Sequence, residues 1–311
     1  MLQVYLLLLV GLLILFISGK YLVEASVAIS ELLRIPRMVI GLTVVAVGTS
    51  APELLVSVQA AFAGYPEIAM GNVVGSNISN ILLVLAITAL IFPIPVPVVS
   101  VRRDWPIMMF VSLLLFAFTL DGWLERSEGL VFAALLLLYI LYSVRQSRKD
   151  KEPGNLPVAP ARMPRWAMFL IFLASCAGLA LGADLLVKNA AVIAEDLGIS
   201  TRVISVSMVA VGTSIPELAT SVLAALKKET EISVGNIIGS NIMNILLVLG
   251  TTGIIRPIKV DPGIGRFDIP WMLGTSLLLI LVMLPSIRSK INRWEGSGMI
   301  LLYLLYIYLI F

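Results

Sequence analysis

Two glutamates, Glu53 and Glu217, are the acidic residues that lie deepest inside long apolar segments of the sequence. No lysine or arginine lies at a comparable depth, so neither carboxylate has an evident basic partner. An unpaired carboxylate in hydrocarbon is expensive, so each must be protonated, face a hydrated cavity or bind a cation. The structural alternative is a protonated glutamate that makes one interhelical hydrogen bond. The many oxygen-bearing residues around both glutamates argue against that alternative.

Oxygen-bearing side chains precede each glutamate on what would be the same helix face. Thr49 and Ser50 stand four and three residues before Glu53, and residues at these spacings are neighbours on a helix surface. Pro52 has no amide hydrogen, so we expect a kink that turns nearby carbonyls, including that of Ala46, away from the helix. The same arrangement recurs in a second copy at Ala210, Thr213, Ser214, Pro216 and Glu217.

Polar residues also recur at every fourth position in the apolar segment that follows each glutamate. This spacing places them on one helix face, which we expect to line the same site. Glycines four residues apart in the same segments predict close helix packing. The polar residues are Asn72, Ser76 and Asn80 in one copy and Asn236, Ser240 and Asn244 in the other, and the glycines are Gly71, Gly75, Gly235 and Gly239.

These residues offer hydroxyl, amide, backbone carbonyl and carboxylate oxygens without a nitrogen or sulfur ligand, which is the donor set of a hard cation. Two carboxylates balance the charge of one Ca²⁺, and the same oxygens could hold several Na⁺ ions. Mg²⁺ is less favoured because it gives up its water reluctantly. The predicted metal ligands are Ala46, Thr49, Ser50, Glu53, Ser76, Asn80, Ala210, Thr213, Ser214, Glu217, Ser240 and Asn244.

The composition of the chain places this site in a membrane. Of the 311 residues, 59% are hydrophobic and 13% are charged, and the mean hydropathy is +1.02. A soluble domain is about 45–50% apolar and about 25% charged. The net charge of +3 gives no reason to expect a nucleic-acid partner. The absence of histidine excludes imidazole metal sites and histidine-based catalysis, and the single cysteine, Cys176, excludes an intramolecular disulfide.

The sequence contains an internal repeat with an offset of 164 residues. The segment 45–54 recurs as 209–218, and the segment 71–85 recurs as 235–249, in both cases without a gap. Each copy lies in a half with five predicted spans, and an odd number makes the second half enter the membrane from the opposite side. Inverted repeats of this kind build many secondary transporters, with the site where the halves meet.

We therefore predict an all-α integral membrane protein of ten transmembrane helices, arranged as two inverted-topology five-helix repeats. The first repeat spans 1–144, a basic linker spans 145–165, and the second repeat spans 166–311. Most lysines and arginines fall on the side of the linker, so the positive-inside rule places the linker in the cytoplasm and both termini outside. The predicted spans are 2–18, 37–62, 68–92, 106–120, 128–144, 166–186, 202–226, 231–255, 269–286 and 296–311.

The two GTSxPEL segments and the two GNxxGSNxxN segments resemble the paired alpha repeats of the sodium/calcium exchangers, in the cation/calcium antiporter superfamily. The resemblance covers both halves and implies alternating-access antiport of Na⁺ against Ca²⁺, commonly three for one. It implies that Glu53 and Glu217 are the central acidic ligands and that the other predicted ligands surround four cation positions. It also implies that spans one and six slide as a pair against the rest.

The same resemblance implies a cell-membrane protein that is not an enzyme and needs no cofactor besides its transported ions, Ca²⁺ and Na⁺. Its surroundings would be membrane lipid, and we expect a monomer without an obligatory protein partner. One departure concerns Asn244, which stands where potassium-dependent members carry aspartate. This amide argues against K⁺ co-transport.

Three other functions fit the sequence less well. A Ca²⁺/H⁺ antiporter of the same architecture could exchange protons on the two glutamates, but the Thr and Ser oxygens suit Na⁺. A cation channel is disfavoured by inverted repeats around carboxylates at the membrane midplane. An intramembrane protease is disfavoured because the chain has no histidine and no deep aspartate.

Overall fold

The computed structural model describes residues 2–33, 35–149, 164–196, 212–284 and 290–310. These residues form helices joined by short connections and four two-residue strands. The helices are α1 (Leu2–Leu33), α2 (Arg37–Thr49), α3 (Ala51–Ala63), α4 (Glu67–Ile91), α5 (Trp105–Phe118), α6 (Arg126–Lys149), α7 (Arg165–Asp196), α8 (Ile215–Leu226), α9 (Thr230–Ile255), α10 (Ile264–Met283) and α11 (Arg293–Ile310).

The predicted helical architecture is confirmed, but several predicted span ends are wrong. Helix α1 continues to Leu33 instead of ending at residue 18, because its second part buries Leu22 and Ile29 completely. Helix α7 likewise continues to Asp196, and helix α6 continues to Lys149, into the predicted linker. The rest of that linker, residues 150–163, lies outside the described residues.

Helices α1 and α7 pack along each other at very close range. A Cβ on Gly11 would lie 3.0 Å from the carbonyl oxygen of Gly182, and a Cβ on Gly182 would lie 3.0 Å from the carbonyl oxygen of Gly11. Small residues therefore let these two backbones touch, as is common between membrane helices. The first helix of one repeat thus pairs with the first helix of the other.

Helices α4 and α9 form the core of the described structure. Their apolar side chains include Val73, Ile78, Ile237 and Ile242, which are at most 1% exposed. Both helices contain a π-helical segment at the equivalent place, Asn80–Leu85 in α4 and Asn244–Leu249 in α9. Such π-bulges are frequent at functional sites. Shorter π-helical segments occur at Gly41–Val45, Ser100–Asp104 and Ile264–Asp268.

Four short strands, which the all-α prediction missed, join the two halves. Strands β1 (Ile94–Pro95) and β4 (Lys290–Ile291) pair antiparallel, and so do β2 (Trp123–Leu124) and β3 (Ile258–Lys259). Two residues are too few to leave an alternating pattern in the sequence. Each pair connects a segment of the first repeat to a segment of the second.

Six described helices are long and apolar enough to cross a membrane, and a seventh span results if the bent pair α2 and α3 counts as one. The bend between α2 and α3 is 42° and falls at Ser50, beside Pro52. The predicted span 202–226 begins outside the described residues, and only α8 represents it. The count of ten spans stays a prediction.

Candidate cation site

The two glutamates occupy equivalent places at helix N-termini. Glu53 lies in the first turn of α3 and Glu217 in the first turn of α8, and both side chains are fully buried. The partial positive charge of a helix N-terminus stabilises a carboxylate there. The break at Ser50 therefore does more than bend the span, because it starts a new helix directly before the acidic residue.

Thr49 of the first repeat forms hydrogen bonds with helix α9 of the second repeat. Its hydroxyl donates to Oδ1 of Asn236 at 3.0 Å and lies 3.2 Å from Oγ of Ser240. It also lies 3.3 Å from the carbonyl oxygen of Ala46, which accepts the backbone amide of Ser50 at 2.9 Å. The expectation that the kink releases the Ala46 carbonyl is therefore wrong, because this helical bond precedes the break and stays intact.

The equivalent contacts recur with the repeats exchanged. Oγ1 of Thr213 lies 3.0 Å from Oγ of Ser76 and donates to Oδ1 of Asn72 at 3.4 Å. Each of these residues is 164 positions from its counterpart in the first set of contacts. The predicted hydroxyls of both copies thus meet across the repeat interface, as Thr49 with Ser240 and as Thr213 with Ser76.

Glu217 is held by hydroxyls from both repeats. Its Oε1 accepts a hydrogen bond from Ser50 at 3.4 Å and another from Ser240 at 3.3 Å. Its Oε2 is buried and has no hydrogen-bond partner among the described residues. This carboxylate therefore keeps one oxygen for a ligand.

Glu53 lacks comparable support. Both of its carboxylate oxygens are buried without a hydrogen-bond partner in the described part of the chain, and the same holds for Oγ of Ser214. A buried polar group without a partner costs free energy, and a buried charge costs more. Buried oxygens without a partner are the kind of atoms that a bound cation would satisfy.

Asn80 and Asn244 are fully buried, and each directs its amide nitrogen at an asparagine of the other repeat. Nδ2 of Asn80 donates to Oδ1 of Asn241 at 3.3 Å, and Nδ2 of Asn244 donates to Oδ1 of Asn77 at 3.1 Å. The carbonyl oxygens of both side chains have no partner among the described residues. Both residues therefore have a side-chain oxygen that is available to a ligand.

Four asparagines support the site. The four-residue spacing placed Asn72 and Asn236 on the polar helix faces without a specific partner, and nothing in the sequence assigned a role to Asn77 or Asn241. Asn72 and Asn236 bridge the polar helix faces to Ser57 and Ser221, at 3.2 and 3.1 Å. Their place in the four-residue spacing could have indicated this role. Asn77 and Asn241 lie one position away from that spacing. The only sequence signal for them is that asparagine occupies the equivalent position in both copies of the repeat. The predicted ligand Ala210 lies outside the described residues.

The described part of the site is made of oxygen atoms, with two carboxylates as its charged groups. A cluster of three or more His, Cys, Asp or Glu residues does not occur in the described ranges. Such a site suits a cation that takes carboxylate, carbonyl and hydroxyl oxygens together. It does not suit a metal that prefers imidazole or thiolate.

This fold and these residues define a class of protein: a multi-pass membrane protein with a buried, oxygen-lined cluster between two repeats. The chain belongs to the sodium/calcium exchanger protein family, whose model matches residues 3–145 and 167–311.

Several proteins are similar to this chain over most of its length. The sodium/calcium exchanger MaX1 of Methanosarcina acetivorans is 33% identical over 346 residues, covering 99% of this chain and 98% of its own. The inner membrane protein YrbG of Escherichia coli is 37% identical over 304 residues, covering 95% and 92%. A structure of the sodium-calcium exchanger NCX_Mj, soaked with Na⁺ and Sr²⁺, superposes with a TM-score of 0.83 at 31% identity, covering 99% and 98%.

Proposed function

We propose that this protein exchanges Na⁺ for Ca²⁺ across the cell membrane by alternating access, with both ions using the same oxygen atoms in turn. The observation that carries the proposal is the pair of buried carboxylates, Glu53 and Glu217, with three of their four oxygens unpartnered among the described residues. Two such groups in a low dielectric need positive charge or protons. The family to which the chain belongs supports Na⁺ and Ca²⁺ as the ions.

The charge balance of the site favours electrogenic exchange. With both carboxylates ionised, one Ca²⁺ brings the site to zero charge and three Na⁺ bring it to +1. Only the Na⁺-loaded form then carries net charge across the membrane. Asn244 supplies an amide where a third carboxylate would be needed to compensate K⁺, so K⁺ is neither required nor transported.

In the proposed site the two glutamates are the central ligands. Asn80 and Asn244 add their unpartnered amide oxygens, and the hydroxyls of both repeats complete the flanking positions. Ala46 contributes its carbonyl only through a lone pair that the helical bond leaves open. The remaining proposed ligands are Thr49, Ser50, Ser76, Ala210, Thr213, Ser214 and Ser240.

The architecture that serves this cycle is a ten-helix membrane protein of two inverted repeats. The recurrence of the hydroxyl contacts at the same offset in both directions supports a pseudo-twofold relation. We place the 145–165 linker in the cytoplasm and both termini outside, from the distribution of basic residues. The protein acts as a monomer in lipid, without a cofactor or an obligatory protein partner.

Flux in reconstituted vesicles tests the proposal. Purified protein in proteoliposomes loaded with Na⁺ should take up ⁴⁵Ca²⁺ when diluted into Na⁺-free medium, and should not when Na⁺ is equal on both sides. A pH gradient in place of the Na⁺ gradient should drive little uptake. Equal uptake under the pH gradient would favour Ca²⁺/H⁺ antiport, and uptake without any counter-ion would favour a channel.

A further inference from the structure

Four buried asparagines contact one another where α4 packs against α9. Asn77 and Asn80 belong to the first repeat, Asn241 and Asn244 belong to the second, and all are at most 2% exposed. Each hydrogen bond between their side chains crosses from one repeat to the other. The orientation of each amide therefore depends on the opposite repeat.

The partners of Asn77 leave its amide only one orientation. Its Nδ2 faces the backbone carbonyl oxygen of Asn241 at 3.3 Å and Sδ of Met272 at 3.6 Å. Neither atom can donate a hydrogen bond, so the NH₂ group of Asn77 must lie on that side. Its Oδ1 consequently lies on the opposite side, where it accepts Nδ2 of Asn244 at 3.1 Å.

The orientation of Asn244 follows directly. Because its NH₂ group is engaged by Asn77, its carbonyl oxygen points the other way and has no partner among the described residues. Asn244 stands four residues after Ser240, which donates to Glu217. Its free oxygen thus belongs to the helix face that carries the candidate cation site.

The same argument applies to the second pair of asparagines, Asn241 and Asn80. Asn241 donates from Nδ2 to Sδ of Met108 at 3.6 Å, and a thioether sulfur cannot donate in return. Its Oδ1 accepts Nδ2 of Asn80 at 3.3 Å, which leaves the carbonyl oxygen of Asn80 unpartnered in the described structure. Met108 and Met272 are themselves 164 positions apart.

We propose that Asn77 and Asn241 are positioning residues that present the oxygens, and not the NH₂ groups, of Asn244 and Asn80 to the transported cation. The inference rests on the proposed function. An asparagine side chain has nearly the same shape in both orientations, but only the carbonyl end can coordinate a cation. Without the opposing asparagine, rotation about χ2 would turn a donor towards the ion for part of the time.

Calcium affinity of purified protein tests this role. We expect Asn77→Ala and Asn241→Ala each to raise the Kd for Ca²⁺ about 10- to 100-fold, the usual effect of removing a residue that orients a metal ligand. Thr88→Val is the matched control, because Thr88 is fully buried on the same helix and bonds only to the carbonyl of Val84 in its own helix. The control should leave the Kd within about twofold of the wild-type value.

A double-variant comparison separates positioning from general support of the fold. Asn244→Asp places oxygen on both sides of the side chain, so its orientation no longer matters. In that background Asn77→Ala should change the Kd by less than about threefold. An equal loss in both backgrounds, or no loss in the wild-type background, would overturn the proposal.

Three further outcomes are informative. If Asn77→Ala fails to fold, Asn77→Thr removes the same amide oxygen acceptor with a much smaller change in volume and is compared in the same two backgrounds. If wild-type protein neither binds nor exchanges Ca²⁺, the proposed function fails. If wild-type protein exchanges Ca²⁺ while the asparagine variants match it, only the present inference fails.

Discussion

Ser50 donates a hydrogen bond to Glu217 across the repeat interface at 3.4 Å, whereas its counterpart Ser214 is buried without a partner in the described structure. The contact that symmetry would predict between Ser214 and Glu53 is therefore not made. The two carboxylates are chemically equivalent in the sequence but not in this conformation. Glu53, with both oxygens unpartnered, has the greater need of a cation.

Replacing either glutamate by glutamine should abolish Ca²⁺ exchange without preventing folding. Glutamine keeps the size of the side chain but removes one of the two negative charges that balance Ca²⁺. We expect Glu53→Gln and Glu217→Gln each to reduce ⁴⁵Ca²⁺ uptake to background in proteoliposomes that contain equal amounts of protein. Glu67→Gln, at the start of α4, is the control and should keep normal uptake. Near-normal uptake by either variant would show that the site is assigned wrongly.

The unequal support of the two carboxylates can be measured in ion-free protein. Ser50→Ala removes a hydrogen bond to Glu217 and should lower stability by about 1 kcal/mol. Ser214→Ala removes no hydrogen bond seen in the described structure and should change stability much less. The measurement is the unfolding temperature in detergent with Na⁺ replaced by choline. Equal losses for the two variants would contradict the asymmetry.

The equivalent glycines of α4 and α9 should tolerate a methyl group very differently. A Cβ on Gly235 would lie 2.7 Å from the carbonyl oxygen of Met38, whereas the nearest atom to a Cβ on Gly71 is Cδ1 of Ile264 at 3.7 Å. The sequence predicted close packing at both glycines, and at Gly71 this is wrong.

Gly235→Ala should therefore destabilise the protein by about 1–3 kcal/mol, the usual cost of overpacking, and Gly71→Ala by far less. The unfolding temperatures of the two variants in detergent provide the comparison. If Gly71→Ala costs as much as Gly235→Ala, the close contact of Gly235 with α2 would not be the cause of the loss, because helix propensity by itself favours alanine over glycine.

Calcium exchange should not depend on K⁺. A K⁺ ion added to a Ca²⁺-loaded site would be an uncompensated charge, since Asn244 contributes no third carboxylate. Na⁺-driven ⁴⁵Ca²⁺ uptake should be the same with K⁺ or choline on both sides of the vesicle. Loss of uptake when K⁺ is removed from both sides would refute this prediction.

Exchange should respond to membrane potential. One net charge per cycle moving through 100 mV is worth about 2.3 kcal/mol, which changes the equilibrium Ca²⁺ ratio by more than about tenfold. A negative interior should favour Ca²⁺ extrusion. The measurement is Na⁺-driven Ca²⁺ flux in vesicles clamped with K⁺ and valinomycin. An end-point that ignores the clamp would indicate electroneutral exchange.

The sequence was most informative about the candidate site where a polar residue type stands in an apolar span. Glu53, Glu217 and the hydroxyls beside them could be identified because polar groups in apolar spans are costly and these recur in both copies. Pro52 also indicated a break in this span, which the structure has at Ser50. Each of these signals lies within one helix.

The missed features depend on contacts between the repeats. Asn77 and Asn241 find their partners on the opposite repeat, and no spacing within one helix reveals such a partner. The length of α1 is set by burial of Leu22 and Ile29 against neighbouring elements, and the two-residue strands exist only as cross-repeat pairs. Tertiary packing decides these features, so single-helix patterns could not predict them.

Simultaneous measurement of Na⁺ and Ca²⁺ movement tests the central claim most directly. Proteoliposomes loaded with ²²Na⁺ and diluted into ⁴⁵Ca²⁺ report both fluxes from the same vesicles, with Glu53→Gln protein as the background. We predict that ²²Na⁺ release and ⁴⁵Ca²⁺ uptake begin together in the wild-type protein, at a ratio of three Na⁺ per Ca²⁺. Both fluxes should be absent in the Glu53→Gln protein. Uptake of ⁴⁵Ca²⁺ without matching release of ²²Na⁺ would contradict exchange of the two ions through this site.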